Sequence, residues 1–175
     1  YVKGEVRVLD WRNTDGLVDY TLIPRESWLR FRLSLPRSAS NKSAPILIYG
    51  HGLSVFKETD FTVSFTNAIH GIATLSIDQP NHGTRIRSDG GYVFNLLSTE
   101  NVGRLLGMVS QSPIDFMSLY QAARTSFKTI DVLPHSQRRG NGDGIADLDT
   151  SRIYYAGTSL GGVLGLTFVS LAPEL

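Results

Sequence analysis

The sequence predicts an α/β domain: a mostly parallel, doubly wound sheet with antiparallel strands at its amino-terminal edge. Three observations carry that expectation. Short apolar runs at residues 46–49, 72–77 and 153–156 alternate with segments of helical period, as buried parallel strands and their crossover helices do. Each run ends in a turn containing glycine: Gly50-His51-Gly52, Asp78-Gln79-Pro80-Asn81-His82-Gly83 and Gly157-Thr158-Ser159-Leu160-Gly161. Open α/β sheets place their ligands at such strand ends. Residues 1–35 differ, alternating apolar and polar side chains with period two, the mark of half-exposed antiparallel strands.

A chain of 175 residues is long enough for one substantial core, so residues 1–175 are read as a single domain. A hydrophobic share of 41% and a charged share of 19% are those of an ordinary folded chain. The net charge of +1 supplies no general attraction to nucleic acid or to anionic membranes. With no cysteine there is no disulfide and no thiolate chemistry. No charge falls between Ile153 and Pro173, but four glycines and several hydroxyl residues interrupt the run. A strand followed by a core helix fits it better than a membrane span.

In chain order, residues 5–9 and 28–35 alternate as strands, and Asn13-Thr14-Asp15-Gly16 marks a turn between them. Arg30 and Arg32 then fall on a solvated strand face. Residues 36–45 read as a polar loop. Residues 58–70 carry Phe61, Phe65 and Ile69 at four-residue spacing, a helical pattern. Residues 84–111 show no clear period and read as an insertion packing on the core, or as a lid. Ser112-Pro113-Ile114-Asp115 has the composition of a helix start, with Ser as cap and Pro in the first turn. Phe116, Leu119, Ala123, Phe127 and Ile130 supply its apolar stripe, and Pro134 ends it. A truncated sheet is expected, because the chain stops in the helix after the third apolar run.

The chemistry concentrates at Ser159. G-x-S-x-G between a strand and an apolar helix is the pattern of a nucleophile elbow, whose sharp turn needs the small Gly157 and Gly161. Ser159 is the expected nucleophile. The N–H of Leu160 and, from the loop after residues 46–49, that of Leu53 are the expected oxyanion donors. A serine needs a general base. All four histidines, His51, His70, His82 and His135, precede Ser159, whereas the elbow type of enzyme takes its acid and histidine from later in the chain. Those two groups are therefore expected beyond Leu175, so that this chain alone is inactive. The alternative is an unusual arrangement of His82 with Asp78.

Asn141-Gly142-Asp143-Gly144-Ile145-Ala146-Asp147-Leu148-Asp149 alternates oxygen-bearing side chains around glycines. Asn141, Asp143, Asp147 and Asp149 are candidate calcium ligands, although Arg139 and the missing closing glutamate exclude an EF-hand. A polar turn held by Asx hydrogen bonds is the plainer reading.

With its three strand-end motifs in this order, the chain resembles the α/β-hydrolase superfamily over residues 30–175. Gln111-Ser112, then residues 141–149 running into Ser151-Arg152-Ile153-Tyr154 and Gly-Thr-Ser-Leu-Gly-Gly, resemble secreted bacterial lipases of the virulence-associated extracellular type. The resemblance implies a serine esterase or lipase acting on a small-molecule or lipid ester through an acyl-serine. It also implies no organic cofactor and an extracytoplasmic setting. Two alternatives stand: a non-catalytic, calcium-stabilised binding module, and a serine peptidase of the same fold.

Overall fold

A computed structural model describes residues 1–40, 42–86, 98–134, 142–172 and 174–175. Among the described residues, five strands form one sheet in the order β1-β2-β4-β3-β5: β1 (Val2–Asp10), β2 (Arg25–Ser34), β3 (Ala44–Gly50), β4 (Ala73–Ile77) and β5 (Leu148–Gly157). The sheet is mixed rather than mostly parallel. β3 runs parallel to β4 and β5, while β1–β2 and β2–β4 are antiparallel. The period-two stretches thus supply two of the five strands, and β2 joins the parallel strands directly through its pairing with β4. Three α-helices among the described residues accompany the sheet: α1 (Phe61–Ile69), α2 (Val102–Thr125) and α3 (Leu160–Leu171).

Register decides which face each helix covers. Leu33, Leu75, Ile48 and Tyr155 stand opposite one another across β2, β4, β3 and β5, so their side chains share one face. Tyr155 meets Phe116 of α2 at a ring separation of 5.5 Å and Phe168 of α3 at 5.3 Å. That face, with Leu119, Ala123 and Phe127, is the apolar core. The adjacent row, Arg32–Ser76–Tyr49–Ala156, points the other way and meets α1. Its contacts are polar. Ser76 donates to Asp60 at 2.7 Å, Asn67 of α1 donates to Thr74 at 2.9 Å, and Arg32 pairs with the fully buried Asp60. Arg32 is therefore not a solvated residue, because the turn before α1 brings the Asp60 carboxylate over it.

Two helices depart from their expected form. Phe61, Phe65 and Ile69 point outward, between 66% and 69% exposed, because the inner face of α1 carries the polar residues that meet β4. α2 starts at Val102 rather than at Ser112, so the irregular tract ends in helix, while residues 87–97 lie outside the described ones. Pro113 consequently sits inside α2, where it has no N–H for the preceding turn. Ser112 does not cap; its hydroxyl donates to the Met108 carbonyl at 2.9 Å. The helix ends at Thr125, and Phe127 reaches the core from a 3-10 turn at Ser126–Thr129. Ile130 lies beyond it. No helix among the described residues is long and apolar enough to cross a membrane.

Two phenylalanine truncations separate these environments. Phe116→Ala, at a fully buried position, should cost the 175-residue chain about 3–5 kcal/mol. Phe65→Ala should change it by less than about 0.5 kcal/mol. Urea unfolding of the two variants is the check.

Candidate active site

The carboxyl ends of β3, β4 and β5 lead into three loops that meet. Gly161 lies so close to Gly50 that an added Cβ would collide with the Gly50 carbonyl, and Gly157 is similarly pressed against Gly161. Thr158 N–H donates to Gly50 O at 3.0 Å, and Tyr49 hydroxyl donates to Thr158 Oγ1 at 2.9 Å. A Cβ at Gly52 would stand 3.5 Å from that of Ser159. The loop after β3 is thus seated directly on the turn that carries the serine.

Ser159 occupies φ 53°, ψ −116°, between the end of β5 and the start of α3, and its side chain is exposed. A side chain with a Cβ pays of order 1–3 kcal/mol to sit there. The other described non-glycine residues at positive φ are Ser54 and Asn81. Each belongs to one of the other two loops. Backbone strain is therefore gathered at one end of the sheet, where such strain commonly marks a functional site. Leu160 opens α3, so its N–H is one of the donors that a helix start leaves without an intrahelical partner. Leu53 follows Gly52 in the loop facing Ser159.

The histidines divide by geometry. Buried His51 has both ring nitrogens engaged: Nε2 accepts from Gln79 N–H at 3.0 Å, and Nδ1 lies 2.8 Å from Gly52 O. Burial pulls its pKa down to about 4, so it is neutral near pH 7. The His82 ring lies tilted against it, 5.0 Å between ring centroids, with Nδ1 on Pro80 O at 2.9 Å, and burial lowers its pKa also. His82 does not pair with Asp78. The Asp78 oxygens accept from Lys57 N and Nζ, both at 2.8 Å, and from Thr84 N and Oγ1 at 3.0 and 2.8 Å. Burial alone would raise the Asp78 pKa, but these bonds outweigh it and hold the carboxylate ionised. Its role is to order the loop, and Gly83, at φ 51°, leaves room for it. His70 caps α1 at the opposite end of the sheet, and His135 lies outside the described residues. Among the described residues no hydrogen bond joins Ser159 to a histidine.

Three of the four expected calcium ligands, Asp143, Asp147 and Asp149, lie among the described residues. Asn141 lies outside the described residues, and Asp149 is held by Ser151 at 2.6 Å and Arg152 at 2.6 Å. No three His, Asp or Glu side chains among the described residues form a metal-binding group. Asp131, unmarked in the sequence, instead accepts from Asp143 N at 2.9 Å and Gly144 N at 2.8 Å. Asp147 is fully buried, and its Oδ2 accepts from Val132 and Leu133 N–H at 2.7 and 3.2 Å. Asp147 Oδ1 and Asp143 Oδ2 are buried without a hydrogen-bond partner among the described residues. Burial raises the Asp147 pKa, and neighbouring Asp131 and Asp143 add to the rise.

Solved structures place this geometry in a known fold. The chain superposes on acetyl xylan esterase 1 from Thermoanaerobacterium sp. JW/SL YS485 with a TM-score of 0.59. Identity is 18%, over 87% of this chain and 43% of the esterase. A cold-adapted esterase from an Arctic intertidal metagenomic library gives 0.55 at 18% identity, covering 85% of this chain and 53% of that one. Est1E from Butyrivibrio proteoclasticus with ferulic acid bound gives 0.51 at 15%, covering 83% and 45%. The fold is that of the α/β hydrolases. The chain spans about half the length of these α/β-hydrolase structures. No family model and no curated protein sequence matches it.

The buried histidines make stability depend on acid. His51 binds its proton less readily folded than unfolded, so stability holds above about pH 6.5 and falls as pH drops towards 4. That shift corresponds to roughly 3 kcal/mol from His51. Urea unfolding across this range should show the loss, and His51→Asn should flatten it.

Proposed function

We propose that the chain is the amino-terminal part of a serine hydrolase that cleaves carboxylic esters, with Ser159 as nucleophile. The observation that carries the reading is the conformation of Ser159. An exposed hydroxyl is held at positive φ on a strand-to-helix turn, hemmed by Gly157 and Gly161 and faced by the loop after β3. That arrangement suits the strained turn from which a nucleophilic serine projects. The esterases among the structural neighbours favour the same chemistry.

In this reading a histidine, oriented by an acid and supplied with it from beyond Leu175, takes the Ser159 Oγ proton as the oxygen attacks the ester carbonyl. The developing oxyanion accepts from the N–H groups of Leu53 and Leu160. Collapse breaks the bond to the alkoxy group, which leaves as the alcohol with the histidine's proton. Water, deprotonated by the same histidine, then releases the carboxylic acid and regenerates Ser159. No organic cofactor takes part. The substrate is a small-molecule or lipid ester, and the protein is a secreted, lipase-type enzyme of the kind its sequence resembles.

Ser159→Ala in the full-length protein should abolish ester hydrolysis, by about 10⁴-fold or more, together with labelling by a fluorophosphonate. Unaltered hydrolysis would remove Ser159 from the reaction. A panel of esters and amides separates the esterase from a peptidase.

A second reading attaches to residues 142–147 and is supported by the two unpartnered carboxylate oxygens of Asp143 and Asp147. Calcium, a cation that takes oxygen ligands, would offset their mutual repulsion and stabilise the domain, with or without catalysis. Millimolar calcium should then raise Tm by several degrees, and Asp147→Asn should cancel the rise. An unchanged Tm would leave the loop as a hydrogen-bonded turn.

A further inference from the structure

Gln79 makes two hydrogen bonds to one residue. Its side-chain Nε2–H donates to His51 O at 2.6 Å, and its main-chain N–H donates to His51 Nε2 at 3.0 Å. Both residues are fully buried. Because Nε2 accepts, the proton of the neutral ring must sit on Nδ1. Nδ1–H then donates to Gly52 O at 2.8 Å. That carbonyl belongs to the peptide unit whose other end is the N–H of Leu53. The peptide is trans, so C=O and N–H point in opposite directions, and fixing one aims the other. A hydrogen bond accepted by the carbonyl also polarises the amide and strengthens its N–H as a donor. The same loop abuts Ser159 through Gly52.

We propose that Gln79 is a positioning residue for the oxyanion side of the site. It selects the Nδ1–H tautomer of His51 and anchors that residue's carbonyl, and His51 in turn aims and polarises the Gly52–Leu53 peptide. The loop after β3 is thereby set from the end of β4. This proposal rests on the hydrolase reading above, since the Leu53 N–H matters only if an oxyanion forms beside it. The stabilised charge exists only in the transition state, so the effect belongs in kcat and not in KM.

The test uses the full-length protein with a short-chain p-nitrophenyl ester, and long-range ¹H–¹⁵N NMR of the histidine rings at pH 7. Wild type should show His51 neutral with the proton on Nδ1. His51→Leu, which removes the donor to Gly52 O, should lower kcat about 10²-fold with KM within about twofold. His51→Asn, whose amide nitrogen can stand where Nδ1 stood, should recover at least about a tenth of wild-type kcat. Gln79→Met, similar in size but without the side-chain donor to His51 O, keeps the main-chain N–H on Nε2; it should lower kcat by about tenfold while His51 stays protonated on Nδ1. If His51→Leu fails to fold, the wild-type tautomer and the Gln79→Met kinetics still decide. An active wild type with His51 protonated on Nε2, or undiminished kcat in Gln79→Met, overturns the positioning role alone. A wild type that shows the Nδ1–H tautomer but neither hydrolyses esters nor reacts with a fluorophosphonate overturns the hydrolase reading, and the positioning role with it.

Discussion

The close seating of α3 on the ends of β3 and β5 is the constraint on which the rest of the site depends. Gly161 lies against the Gly50 carbonyl, and Gly157 lies against Gly161, at separations that no Cβ could share. With strand and helix so close, the chain must reverse within two residues, and Ser159 takes the conformation that the reversal leaves. Tyr155 reinforces the arrangement by donating its hydroxyl to the Gly161 carbonyl at 2.6 Å while its ring packs on Phe116 and Phe168. One aromatic residue thus ties the apolar core to the turn. The strain at Ser159 is borne by packing on either side of it, as a strained residue requires if it is to persist.

Beneath the three loops lies a layer of buried charge that the core alone would not predict. Lys57 and Thr84 hold Asp78, Arg32 and Ser76 hold Asp60, and Arg85 at 2.6 Å with Gln111 at 2.8 Å holds Asp115. Burial raises the Asp115 pKa even so, which shows how far that carboxyl is removed from water. Each ion pair joins elements distant in sequence: β2 to the turn before α1, the loop after β3 to the end of β4, and the loop after β4 to α2. Such pairs add little net stability over apolar packing, yet breaking one leaves a buried charge uncompensated. They act as register pins. Gln111 extends the pattern by bridging α2 to the Leu9 carbonyl and the Trp11 N–H at 2.9 Å each.

Legibility in the sequence followed the range of the interactions involved. The strands at 46–49, 72–77 and 153–156 and the turns after them were legible because glycine placement and apolar runs are local signals. The direction of β2 against β4 was not, since strand pairing is decided by contacts that a single strand does not encode. The start of α2 was misplaced because Ser112 and Pro113 fit a helix cap in isolation, and only the preceding turns show them to be interior. For α1 the apolar stripe misled. Four-residue spacing identifies a helix face but not which side of the sheet that face meets, and here β4 offers Thr74 and Ser76. Asp131 carried no signal at all, because its partners, Asp143 and Gly144, reach it only through the folded loop.

The same reasoning explains why the histidines could be counted in the sequence but not assigned. Their positions after apolar strands put His51 and His82 in loops at the same end of the sheet as Ser159, and the sequence leaves His82 with Asp78 as an alternative base. Hydrogen bonding removes His51 from that role, since a ring with one nitrogen donating to Gly52 and the other accepting from Gln79 has no site left for the Ser159 proton. Asp78 cannot orient His82, because Lys57 and Thr84 already engage its carboxylate. What the two rings share is burial, which lowers both pKa values and leaves the imidazoles uncharged at neutral pH beside the Lys57–Asp78 ion pair.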